Sequence, residues 1–87
     1  MGEVIHAFRT PVIAGGVAWQ VEAWGAQRDD GLWEGWLLFA STGDGDVLLT
    51  SRETTQPNRN ALVYWATGLE PVFLEGAFER ARNRAAA

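Results

Sequence analysis

Residues Val17 to Ala40, VAWQVEAWGAQRDDGLWEGWLLFA, decide the fold of this chain. Two apolar runs rich in Trp, Val, Leu and Phe flank Arg28-Asp29-Asp30-Gly31, and Asp-Gly between alternating apolar segments is the strongest short-range hairpin signal. The reading is an antiparallel pair, with one strand from Val17 to about Gln27 and the next from Leu32 to Ala40.

Side chains alternate along a strand, so the loop length sets which residues share a face. A two-residue loop at Asp30-Gly31 and a four-residue loop from Arg28 to Gly31 have the same parity. Either places Trp19, Val21, Ala23, Trp36, Leu38 and Ala40 on one apolar face fit to receive helices. With the shorter loop, Trp36 lies across from Gly25. The opposite face then carries Gln20, Glu22, Trp24, Trp33, Leu37 and Phe39. Trp24, Trp33, Leu37 and Phe39 make that second face too apolar for plain solvent, and such a patch usually marks an interface. A second copy of the chain is the expected partner, because two-fold homodimers are the commonest assembly of small proteins. The alternative is that the N-terminal segment, with Val12 and Ile13, folds over it.

Upstream, Glu3 to Arg9 reads as an edge strand, since Thr10-Pro11 removes a donor that a central strand needs. Ala14-Gly15-Gly16 supplies a turn. Downstream, Thr42-Gly43-Asp44-Gly45 turns the chain into a fourth strand from Asp46 to about Arg52. A first helix is expected from about Pro57 to Ala66, with Leu62, Trp65, Ala66 and Leu69 at the spacing of one buried stripe. Gly68 ends it, and Pro71 opens a second helix reaching about Arg84, with Leu74, Ala77, Phe78 and Ala81 aligned. Gly76 within that helix costs about 1 kcal/mol relative to alanine and calls for a tight contact. The fold class is therefore α+β: one domain over residues 1–87, with a three- to four-stranded antiparallel meander over about 3–52. Two helices, over about 57–84, pack on one face.

Composition sets the limits on function. The 87 residues are 47% hydrophobic, with five Trp and four Phe, so an aromatic core compensates for small size. Cysteine is absent, which excludes disulfides and thiolate metal sites and makes the cytoplasm the expected compartment. All seven basic residues are Arg against eleven acidic ones, and a net charge of −4 does not attract a phosphate backbone. No nucleic-acid partner is expected. MGEVIHAF has no basic segment leading into an apolar run, and no stretch reaches eighteen apolar residues, so neither a signal peptide nor a membrane partner is expected.

One polar segment stands out. Arg52, Glu53, Thr54, Thr55, Gln56, Asn58 and Arg59 gather where the first helix begins, around Pro57. A helix start leaves backbone N–H groups unpaired and carries partial positive charge, so two readings follow. In one, Thr55 caps the helix while Arg52, Glu53 and Arg59 pair among themselves. In the other, Arg52 and Arg59 converge on a small anion or metabolite, with Thr54, Thr55 and Asn58 donating hydrogen bonds. An enzyme acting through Glu53 and the arginines is a third and weaker reading. His6 is the single histidine and makes no nucleophile arrangement with Ser41 or Ser51. Gly43-Asp44-Gly45-Asp46 lacks the spaced ligands of a calcium loop. No catalytic residue, metal or cofactor is expected.

The run RETTQPNRNALVYWATGL, preceded by GLWEGWLLF and followed by PVFLEGAFERA, resembles the pattern of a family of small uncharacterised bacterial proteins. The likeness covers about residues 31–81. It implies a stand-alone bacterial domain and supplies no activity or substrate.

Overall fold

The computed structural model describes residues 2–87. Six antiparallel strands are followed by two helices: β1 (Glu3–Ala7), β2 (Val12–Ala14), β3 (Val17–Gln27), β4 (Trp33–Ser41), β5 (Val47–Leu49), β6 (Thr54–Gln56), α1 (Arg59–Thr67) and α2 (Pro71–Ala86). The α+β architecture is the expected one. The extra strands arise because both outer rows are interrupted. β1 and β2 pair in succession with β3, and β5 and β6 pair in succession with β4, so the sheet has four rows. Phe8 to Pro11 separates the first two, and Thr50 to Glu53 the last two. Inside the second gap, Thr50 keeps Leu37 paired, donating its N–H to the Leu37 carbonyl and accepting the Leu37 N–H on Oγ1.

Each turn has a local cause. Gly15 and Gly16 both have positive φ, +58° and +76°, as a tight two-residue hairpin between β2 and β3 demands. Between β3 and β4 the paired residues are Gln27 and Trp33. Arg28 then donates to the Leu32 carbonyl at 2.7 Å, Gly31 donates back to Arg28 at 3.0 Å, and Gly31 sits at φ +86°. This is a three-residue loop, Asp29-Asp30-Gly31, closed by a left-handed glycine.

An odd loop overturns the facing expected from loops of two or four residues. Val21 pairs with Phe39, Ala23 with Leu37, Trp24 with Trp36 and Gly25 with Gly35, so odd residues of β3 face the same way as odd residues of β4. The helices cover that odd face. Leu37 and Phe39 are fully buried, together with Val21, Ala23, Leu62, Ala66, Ala77 and Ala81.

Two devices seat the helices. Gly25 and Gly35 stand opposite each other and leave a hollow in the sheet that α1 fills with Leu62. A Cβ at Gly35 would lie 2.7 Å from Leu62 Cδ1, and one at Gly25 would strike Leu62 Cδ2. Farther along the sheet, α2 presses Phe78 edge-on against Phe39 and Trp19, with ring centroids 5.4 and 5.1 Å apart. Such edge-to-face pairs contribute about 1 kcal/mol each beyond the area they bury. Leu74, Ala77, Phe78 and Ala81 form the buried stripe of α2, as their spacing requires. Gly76 differs from expectation, because its nearest neighbour would be Arg80 Nη1 at 3.5 Å and nothing there requires a glycine.

Candidate functional site

The polar segment does not form one cluster. Asn58, not Thr55, caps α1: its backbone is extended and its Oδ1 accepts the Ala61 N–H at 2.8 Å. Thr55 lies in β6 opposite Glu34 instead. Both residue types are good caps, but pairing with β4 claims Thr55 first. Thr54 Oγ1 accepts from Gln56 Nε2 at 2.7 Å, so these two side chains satisfy each other.

The charged members are separated by the sheet. Glu3, Gly25, Gly35 and Thr54 form one row across its four strands. Three strand spacings span about 14 Å. Arg59 sits at the Glu3 end, donating Nη2 at 2.8 Å and Nε at 3.2 Å to the Glu3 carboxylate. That hydrogen bond, and then the charge of Glu3, hold the Arg59 guanidinium above its ordinary pKa. Glu53 lies at the other end and binds Arg80 through two hydrogen bonds of 2.6 and 3.2 Å, tying the β5–β6 link to α2. The Arg80 guanidinium is likewise raised, mainly by the Glu53 hydrogen bond, and rests 5.4 Å from the centre of the Phe73 ring. Arg52 makes no ion pair among the described residues and lines an open groove with Glu34, Trp36, Leu49 and Arg84. Arg52 and Arg59 therefore do not converge.

The interface expected from Trp24, Trp33, Leu37 and Phe39 is also dispersed. Leu37 and Phe39 are core residues under the helices and present no surface. Trp33 is half-buried on the helix-bearing side, beside Gln56 of β6. Trp24 alone points the other way, where its direct partner is Trp36.

A different apolar face takes its place. The side of the sheet opposite the helices carries Trp24 on β3, Trp36, Leu38 and Ala40 on β4, and Leu49 and Val47 opposite the last two on β5. No described element covers it. Val47 is 54% exposed, Val4 on the other margin 43% and Leu49 38%, while the two tryptophans are half-buried against each other and the Gly2 backbone. Glu22 stands on the same face and accepts the Trp24 indole N–H at 2.9 Å, with no cation paired to it among the described residues. Of this surface only Trp24 belongs to the interface expected from the sequence; Trp36, Leu38 and Ala40, expected beneath the helices, stand on the open side instead.

Nothing else among the described residues gathers chemistry. His6 packs against the Phe8 ring at 4.6 Å, and Ser41 Oγ accepts backbone N–H groups from Gly43 and Asp44 in the β4–β5 turn. No cluster of three His, Asp or Glu side chains that could hold a metal exists among the described residues. A concavity of about 710 Å³ runs along α1 beside Gln56, Tyr64, Trp65 and Leu69, and among the described residues that line it the Tyr64 phenol is the one titratable side chain. No helix among the described residues is long and apolar enough to cross a membrane. No family model, curated protein or solved structure matches the chain.

Proposed function

We propose that this chain is a small non-enzymatic interaction module of the bacterial cytoplasm that assembles with itself through the sheet face opposite the helices. One observation carries the reading: Trp24, Trp36, Leu38, Ala40, Val47 and Leu49 form a continuous apolar surface that no helix or strand among the described residues covers. A sheet needs apolar cover on one side only, and a solvated face is ordinarily polar at alternate positions. Here both faces are apolar along β4, from Gly35, Leu37 and Phe39 on one side to Trp36, Leu38 and Ala40 on the other.

The size of the face fits a second copy. Four rows span about 19 Å, and the nine residues of β4 about 30 Å, a flat area on the order of 600 Å². Stable interfaces bury about 800 Å² per partner once side-chain relief is counted. Two such faces would close into a sandwich with helices outside, with strands aligned within about 30° and layers about 10 Å apart.

Sedimentation velocity across a micromolar to millimolar series tests this directly. The wild-type chain is expected to show a concentration-dependent shift from monomer to dimer, and Trp36→Ser, with an unchanged circular dichroism spectrum, to stay monomeric. A wild-type chain that remains monomeric throughout would overturn the reading.

A further inference from the structure

We infer that the second copy is recognised in a fixed two-fold register, with the axis running along β4 and Glu22 of each copy facing Arg52 of the other. The inference rests on the self-assembly reading and adds the geometry and the residues that specify it.

The apolar surface is centred on β4. β4 contributes Trp36, Leu38 and Ala40 in succession, and β5 adds Leu49 and Val47 beside the last two. β3 contributes only Trp24 at full size, because its neighbours along the same side are Glu22 and Gln20. The apolar stripe therefore follows β4, not the middle of the sheet.

The flanks of that stripe carry opposite charge. On the β3 side stands Glu22, whose carboxylate has the Trp24 indole as its partner and no cation among the described residues. On the β5–β6 side stands Arg52, which makes no ion pair among the described residues, with Arg84 beside it reaching the Leu49 carbonyl from the end of α2. Glu34 lines the same groove, yet no ion pair joins it to either arginine.

A two-fold interface is isologous: if residue i meets residue j, then j meets i. Rotation about an axis along β4 lays β3 of one copy over the β5–β6 row of the other, and stacks Trp36 and Leu38 near their own symmetry mates. It also lays each acidic flank over a basic flank, twice per dimer. The heights agree. Glu22 is level with Leu38, and Arg52 falls near Trp36, between Thr50 paired to Leu37 and Glu53 paired to Gly35. Two residues along a strand is about 7 Å, within the span of an arginine stem. An axis centred instead between β3 and β4 lays Arg52 over the β1 row of the other copy, whose outward residue there is Val4, and leaves both charges without partners. Complementary charge of this kind fixes register and suppresses wrong pairings more than it adds affinity.

Sedimentation equilibrium at low salt on the wild-type chain, Glu22→Arg, Arg52→Glu and the double variant tests the register. Each single reversal is expected to weaken dimerisation about tenfold, and the double reversal to restore it to within about threefold of wild type. Singles without effect, or a double variant as weak as its worse parent, would overturn the register while leaving self-assembly standing. A monomeric wild-type chain would remove self-assembly itself. Should Glu22→Arg fail to fold, Glu22→Gln and Arg52→Gln provide the same cycle: coupled losses support the pairing and additive losses overturn it.

Discussion

Neighbouring rungs of the β3–β4 ladder make opposite choices. At one, Gly25 faces Gly35 beneath the helices; at the next, Trp24 faces Trp36 on the open side. The first pair is the smallest two residues can make, and it lets α1 lower Leu62 into the sheet. The second is the largest, and it stands on the open side of the sheet. One face is thus finished by an element of the same chain and the other only by side chains, which is why stability and assembly are expected to respond to different substitutions.

The largest effect falls on the finished face. Phe39 is fully buried between Phe78 and the sheet, so Phe39→Ala should cost about 4 kcal/mol in urea unfolding. Trp36→Ser, on the open face, should cost the monomer far less while abolishing dimers. Equal losses from both would show that the two faces do not differ. Next comes the hollow. Gly25→Val should cost about 3 kcal/mol, because the added carbons meet Leu62, Ile5 Cγ1 at 3.1 Å and the Glu34 carbonyl at 3.2 Å. Pairing Gly25→Val with Leu62→Ala should recover part of that loss if Leu62 is the obstruction.

These contrasts also show what the residues alone reveal. The extent of β3, the turns at Gly15-Gly16 and Gly43-Asp44-Gly45, the break at Gly68 and the stripe on α2 follow from local chemistry, and the structure agrees with each. Facing did not follow, because Arg-Asp-Asp-Gly announces a hairpin without stating how many residues its loop holds. Gly31 closes a three-residue loop, and one residue of difference moves every side chain of β4 to the other face. That single step carried Leu37 and Phe39 into the core and Trp36 and Leu38 out of it. The polar segment was misplaced for a related reason: β6 takes up Thr54 to Gln56, so Arg52 and Arg59 end on opposite margins of the sheet.

Smaller effects sharpen the same contrast by probing positions that belong to neither face. Gly76→Ala should stabilise the chain by about 1 kcal/mol in thermal unfolding, since helix propensity improves and the new methyl meets only Arg80 at ordinary distance. Acid should act weakly through the β4–β5 turn. Asp44 accepts the Asp46 N–H and lies near Ser41 Oγ, and these bonds hold its carboxyl below the ordinary carboxylate value. The folded form therefore binds fewer protons than the unfolded form, so its contribution is present above the ordinary value and fades as pH falls below about 4. Asp44→Asn should slightly flatten the acid limb of a stability–pH curve through a small loss of stability at neutral pH, and leave dimerisation nearly unchanged.

The most direct test of the two-faced sheet is fluorine NMR of the chain labelled with 5-fluorotryptophan, followed from about 10 μM to 1 mM and assigned by single Trp→Phe variants. The signals of Trp24 and Trp36 should shift together with concentration while those of Trp19, Trp33 and Trp65 stay fixed. Five stationary signals, or movement confined to the three tryptophans on the helix-bearing side, would contradict it.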